Sequence, residues 1–392
     1  MNILVIGNGF DLAHGLPTKY GDFLKFVEVI RQVLNAKGKE IDWKDIHLEI
    51  KELIKINMEN VRNNIFSQEQ IWRELLEENF WIEYFLQYPM YQKENWIDFE
   101  SEISNVIQSI DFDMKNNNLK LDDGASIVSN FYLEKFFLKR LSAAELGFGQ
   151  DLHVSTFREI RDVLYQDLNK LIRAFEIYLC EYVENIDHMK ISKEINSLGI
   201  DHVLSFNYSH TYQKLYDKSK NIKYDYIHGE SRINSTIESN NMVLGIDEYL
   251  NKKSKDKEID FIALKKYYQR IYKETGSEYK NWVDEIANSR YENEVALHER
   301  FPKQIPYKKF NSKHKLYIFG HSLDITDKDV LRDLILNDNV YTTIYYLNKG
   351  VMGQQIANLV KVIGQDELIR RTGGSTKTIE FKLQDKLVER KG

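Results

Sequence analysis

Two short glycine motifs and one asparagine carry the residue types that could do chemistry. Gly7-Asn8-Gly9 follows an apolar run, where glycines let the backbone turn tightly and approach a phosphate beside the N–H groups of a helix start. The dinucleotide fingerprint Gly-x-Gly-x-x-Gly needs a third glycine at position 12, and Leu12 stands there, which disfavours an ordinary Rossmann dehydrogenase. His228-Gly229 offers an imidazole, whose unperturbed pKa of about 6.5 suits a general base. Asn207 has an amide that both donates and accepts, so it could orient a water or a hydroxyl. Each also has a plain structural role: a tight strand–helix turn for the two glycine motifs and a helix cap for Asn207.

These residues share a position, each just past a β-rich apolar run. The runs are residues 3–6, 202–206, 224–227, 315–319 and 341–347, with a weaker sixth at 242–244. A continuous apolar run marks a strand buried on both faces of a parallel sheet. Ligands of such sheets bind beyond the carboxyl ends of the strands, so one shared site is expected. Helical patterns fill residues 44–57, 68–85, 95–107, 131–141 and 156–184, and Pro89 is the only proline in that region. Asp122-Asp123-Gly124 marks a turn within it. A second helical stretch covers 259–291, followed by a loop at Pro302 and Pro306. The expected fold is α/β, a Rossmann-type parallel sheet built from residues 1–35 and 195–392, with a mainly helical insertion at 36–194.

Composition narrows the function. Among 392 residues, 54 Lys+Arg oppose 60 Asp+Glu for a net charge of −6, spread along the chain. That argues against non-specific binding to nucleic acid or anionic membranes. Cys180 is the only cysteine, so neither an intramolecular disulfide nor a thiolate zinc site can form, and no metal site is expected. No stretch approaches the roughly 18 apolar residues of a membrane span. The N-terminus lacks a basic segment and has only a short apolar run, so no signal peptide and a cytoplasmic location are expected.

One acid stands out in the helical region. With Asn95 as N-cap, Trp96, Phe99, Ile103 and Ile107 form an apolar stripe, and Glu100 lies along it. A carboxylate there sits at the stripe's wet edge or faces a site. His210, close behind Asn207, could line a pocket. Asp329 reads as a dipole-stabilising acid in a first helical turn, and Lys252 to Lys257 as a solvated charge run. The basic–aromatic segment Lys265 to Arg270 is the one stretch suited to nucleic acid or a phage component, although an exposed helix face explains it more simply.

Gly7-Asn8-Gly9-Phe10-Asp11-Leu12-Ala13-His14-Gly15-Leu16-Pro17 resembles the Gly-Ala-Gly-x-Ser-x-x-x-Gly-Ile-Pro loop of sirtuin-like NAD-binding proteins. Extended through Thr18 and Tyr20 to Phe23, it resembles the opening signature of the bacteriophage abortive-infection AbiH family, as does Trp96-x-Asp98-x-Glu100. Ser205-Phe206-Asn207-Tyr208-Ser209 stands where a sirtuin has Thr-x-Asn-x-Asp, and His228-Gly229 where it has its catalytic His-Gly. Gly320-His321-Ser322-Leu323 resembles a Gly-Thr-Ser-Leu loop, with Asp327 matching a following acid and Asn348 an adenosine-contacting asparagine.

The resemblance implies an antiphage protein with a sirtuin-like core that binds NAD and hydrolyses it at the nicotinamide–ribose bond. His228 and Asn207 would be catalytic, with Glu100 a further candidate. Gly7, Asn8, Gly9, Phe10, Asp11, Pro17, Gly320, His321, Ser322, Asp327 and Asn348 would hold the nucleotide. Asp11 and Ser209 depart from the sirtuin pattern and the zinc module is absent, which argues against protein deacylation. A phage-encoded trigger and a homo-oligomer are the implied partners. The alternatives are a nucleotide-binding sensor without turnover, supported by Ser209, and a nuclease-type effector, disfavoured by charge and by the lack of a paired-carboxylate motif.

Overall fold

A computed structural model describes residues 1–35, 40–62, 67–94, 97–115, 154–187, 190–248, 260–300 and 314–389. The chain divides into two compact units. The sheet unit comprises residues 1–18, 184–231 and 274–392, and the helical unit 19–183 and 232–273.

The sheet unit is built on six parallel strands: β1 (Asn2–Ile6), β3 (His202–Ser205), β4 (Lys223–Tyr226), β5 (His314–Phe319), β6 (Val340–Tyr346) and β7 (Ile379–Leu383), ordered β4-β3-β1-β5-β6-β7. A separate antiparallel pair joins β2 (Lys190–Ile191) to β8 (Val388–Glu389). β1 is central, with Ile6 opposite Ser205 on one side and Phe319 on the other. The chain winds from β1 towards β4 in one direction and from β5 towards β7 in the other. The switch point, where the loops after β1 and β5 begin, is where such sheets bind ligands.

Burial accounts for the sequence pattern. Ile3, Leu4, Val5 and Ile6 are all nearly inaccessible, because helices cover the sheet. Tyr279, Trp282 and Ile286 of helix Tyr279–Arg300 pack into the same core as Val330, Leu331, Leu334 and Ile335 of helix Lys328–Ile335 and Leu359 and Val362 of helix Lys349–Ile363.

The five main runs are the strands β1, β3, β4, β5 and β6, and the sixth assignment is corrected. Residues 242–244 are not a strand of the sheet. They belong to the helical unit, where side chains rather than a neighbouring strand satisfy their backbone. The Gln269 amide accepts from Leu244 N at 3.1 Å and donates to Leu244 O at 3.1 Å, and Asn240 Oδ1 accepts from Met242 N. The sixth strand is β7.

The helical unit contains Tyr20–Leu34, Leu48–Arg62, Ser67–Leu76, Phe80–Leu86, Pro89–Glu94, Phe99–Lys115 and Val154–Ile177, the last running on through a π-turn, Tyr178–Tyr182. The pattern at 68–85 resolves into two helices. Glu78 adopts φ 52°, and Asn79 caps the second helix by accepting from Ile82 N. Asn79 and Asp167 then lock this break to the long helix, through Asn79 Nδ2 to Asp167 O and Phe80 N to Asp167 Oδ2. Phe23, Phe26, Phe85, Phe99, Phe175 and Tyr178 fill the interior. Glu176, wholly buried, accepts from Arg173, Asn240 Nδ2 and Arg232 N, stitching the 232–273 segment to the long helix.

The expected helix at 131–141, the turn at Asp122, the Lys252 to Lys257 run, the loop at Pro302 and Pro306, and Asn95 and Trp96 lie outside the described residues. The observed cap of Phe99–Lys115 is Asp98, whose Oδ1 accepts from Glu100 N and Ser101 N. Among the described residues no helix is long and apolar enough to cross a membrane.

Candidate functional site

The loops after β1, β3 and β5 meet at the carboxyl edge of the sheet. Gly7 N donates to Phe319 O at 3.3 Å and Gly9 N to Gly320 O at 2.8 Å. The contact is tight enough to require glycine. A Cβ on Gly320, which has φ 68°, would lie 2.1 Å from Phe10 N, and one on Gly9 would lie 2.8 Å from Gly320 O. The two N–H groups expected to face a pyrophosphate thus bond to carbonyls of the β5 strand end and the loop after it. Asn207 Nδ2 donates to Gly7 O at 2.9 Å, adding the β3 loop. Segment 7–18 closes on itself through Thr18 Oγ1 to Asn8 Oδ1 at 2.6 Å and Leu16 N to Asp11 O, with Pro17 half-buried between.

Beneath this junction lies a buried acid. Asp11 is 1% exposed; its Oδ2 accepts from Ser209 Oγ at 2.5 Å and its Oδ1 has no hydrogen-bond partner. Burial pushes its pKa up to about 6, against hydrogen bonds from Ser209, Thr211 and Asn207, and the nearby Glu184 charge adds to the rise. His210 bridges two further acids, Nδ1 to Glu184 Oε1 and Nε2 to Glu230 Oε2, both at 3.0 Å. Burial alone would lower the His210 pKa, but these hydrogen bonds and charges override it and raise it to about 10. Ser231 Oγ also donates to Glu184 Oε1 at 3.1 Å.

The second cluster is aromatic and drier. His228, after β4, places Nε2 3.4 Å from Asp327 Oδ1, and its buried Nδ1 has no hydrogen-bond partner. His321, after β5, places Nε2 3.5 Å from Asp327 Oδ2, while its Nδ1 accepts from Leu323 N at 2.9 Å. The Phe206 ring packs against both imidazoles, at centroid distances of 5.6 and 4.3 Å. An imidazole at a strand end with one buried nitrogen that has no hydrogen-bond partner keeps a group able to exchange a proton.

Of the residues singled out from sequence, the sheet unit carries Gly7, Asn8, Gly9, Phe10, Asp11, Pro17, Asn207, His228, Gly320, His321, Ser322, Asp327 and Asn348, all in the segments that follow its strands. Phe10 is wholly buried against His14, Tyr216 and Phe319, as a core residue. Ser322 is exposed. Asn348 spends its Oδ1 on Val351 N at 3.0 Å, capping helix Lys349–Ile363. Glu100 belongs to the helical unit, where it pairs with the largely buried Lys266 at 2.6 Å.

Sequence reasoning missed Glu184 and Glu230, and did not foresee the role of His14. Glu230 follows His228-Gly229 directly and could have been noticed; Glu184, at the end of a long helical pattern, carries no local signal. His14 is structural. Ser192 N donates to Tyr216 Oη, His14 Nε2 lies 2.7 Å from that hydroxyl and His14 Nδ1 2.6 Å from Phe10 O, and burial lowers its pKa to about 4. Among the described residues no group of three or more His, Cys, Asp or Glu side chains could hold a metal ion.

Comparison with known proteins gives one result that covers the site. Residues 3–346 match the family described as Bacteriophage abortive infection AbiH, a span running from β1 to the end of β6. No curated protein matches the chain. The chain belongs to the AbiH family of bacteriophage abortive-infection proteins.

Proposed function

We propose that this abortive-infection protein binds NAD at the carboxyl edge of its sheet, as a sirtuin-like core, and hydrolyses the nicotinamide–ribose bond. The observation that carries the reading is His228, a buried imidazole at a strand end whose Nδ1 has no hydrogen-bond partner. Cleavage passes through an oxocarbenium-like state that must be shielded from bulk water and met by one water. Nicotinamide leaves with the bonding pair, water adds to C1′ of the ribose, and its proton passes to His228. Asn207, held to the β1 loop, keeps the β3 and β1 loops in register around that point.

Constitutive NAD loss would kill the host, so activity must be held off by homo-oligomer assembly or released by a phage-encoded trigger. The protein then acts in the cytoplasm, where NAD is available. The test is nicotinamide release from NAD by purified protein with and without lysate of infected cells. His228→Ala should lower the triggered rate on the order of 10²-fold or more while leaving NAD binding intact. Release that is unchanged in that variant would remove His228 as the base.

A second reading, a nucleotide-binding module without turnover, is favoured by one observation. The Asn207 amide is engaged with Gly7 O, which suits a loop tie as well as a catalytic amide. That reading expects a nucleotide bound to the purified protein and no nicotinamide released under any condition.

A further inference from the structure

We propose that Asp327 and His321 are positioning residues that hold His228 with its proton on Nε2 and its lone pair on Nδ1, making Nδ1 the atom that accepts the proton. The proposal rests on the reading of His228 as the base and says which nitrogen works and what fixes it.

A backbone N–H can only donate, and that of Leu323 is directed at His321 Nδ1 at 2.9 Å, so His321 carries its proton on Nε2. His321 Nε2 lies 3.5 Å from Asp327 Oδ2. The other oxygen of the same carboxylate faces His228 Nε2 at 3.4 Å. A carboxylate accepts only, so the His228 proton on this side belongs to Nε2, and the lone pair is left on Nδ1, the atom without a partner. Asp327 thus lies between the Nε2 atoms of two imidazoles, one near each of its oxygens.

Three further observations distinguish this from an ordinary acid at a helix start. Asp327 is the N-cap of helix Lys328–Ile335 but makes no side-chain cap hydrogen bond, and Asp324 caps the preceding turn instead. The side chains of His228, Asp327 and His321 are only 9, 13 and 4% exposed, so the charges are poorly screened. Leu323, wholly buried, holds a left-handed φ of 59°, an unfavourable conformation for leucine, and from it donates its N–H to His321. As His228 gains a proton, the Asp327 carboxylate opposite Nε2 stabilises the imidazolium, which is the role of an orienting acid behind a histidine base.

The test combines nitrogen-15 NMR of histidine-labelled full-length protein with NAD cleavage kinetics. The wild-type His228 signals should show, in the neutral ring, a protonated Nε2 and an unprotonated Nδ1. Asp327→Asn should lose that preference and lower kcat on the order of 10²-fold with KM changed little, and Asp327→Glu should recover most of the rate. A neutral His228 protonated on Nδ1 overturns the proposal, as does an unchanged kcat in Asp327→Asn. Wild-type protein that cleaves no NAD removes the proposed reaction, while the tautomer measurement, made on wild type alone, still decides the positioning.

Discussion

The Ser209 hydroxyl donates to Asp11 Oδ2 at 2.5 Å, joining the β3 loop to the first turn after β1, and leaves Asp11 Oδ1 buried with no partner. This carboxyl holds its proton up to about pH 6, where an unfolded aspartate has lost it around 3.8. Between those values the native state binds more protons than the unfolded state, so stability falls as pH rises through them. Above pH 6 the ionised acid costs at most about 3 kcal/mol. Asp11→Asn keeps an acceptor for Ser209 and should therefore raise Tm near pH 8 but not near pH 4. Thermal melts at the two pH values check this, and a lower Tm near pH 8 would contradict it.

His210 shifts in the same direction for a different reason. Its folded pKa of about 10 lies above the ordinary 6.5, because Glu184 and Glu230 outweigh burial. The stability it contributes is present in full below about pH 6.5 and is lost as pH rises through about 10. His210→Gln should lower Tm most in the acid range, with the gap to wild type closing as pH approaches 10. A gap that is constant with pH would mean that packing, not charge, is what His210 provides.

The glycine junction makes a sharper prediction. Gly320→Ala forces a Cβ against Phe10 N and Gly9 at a left-handed φ, and should cost about 3 kcal/mol or more in urea unfolding. Gly353 is exposed within helix Lys349–Ile363, with nothing within 4 Å of its would-be Cβ, so Gly353→Ala should stabilise by about 0.5–1 kcal/mol. Equal effects at the two positions would show that the junction yields.

Glu100 can be tested by comparison with its partner. Lys266 is about nine-tenths buried, and removing either side of the pair takes a close counter-charge from the other. Glu100→Gln and Lys266→Met should lower Tm by comparable amounts. Loss of defence in Glu100→Gln with an unchanged Tm would return Glu100 to the catalytic candidates.

Much of the sheet was legible because a strand buried on both faces writes a continuous apolar run. β7 was not, since Ile379-Glu380-Phe381-Lys382-Leu383 is an edge strand carrying two charges, and Glu380 is spent on Tyr341 and Thr343. Residues 242–244 misled in the opposite sense, being apolar and buried but paired to the Gln269 side chain. At the candidate site, residue types at strand ends singled out His228 and Asn207, whereas Asp11 entered through the family resemblance. The Glu184–His210–Glu230 bridge and the approach of His228 to Asp327 join residues from different segments, so no local pattern encodes those pairings, although His321 and Asp327 share one loop.

Defence by NAD cleavage at His228, the reading proposed for this AbiH-family protein, has a direct consequence in infected cells. The most direct measurement is cellular NAD, taken during phage challenge in hosts expressing wild type or His228→Ala, with plaques counted in the same cultures. Wild type should show NAD loss and protection, and the variant preserved NAD with no protection. Protection by His228→Ala with NAD preserved would contradict that reading.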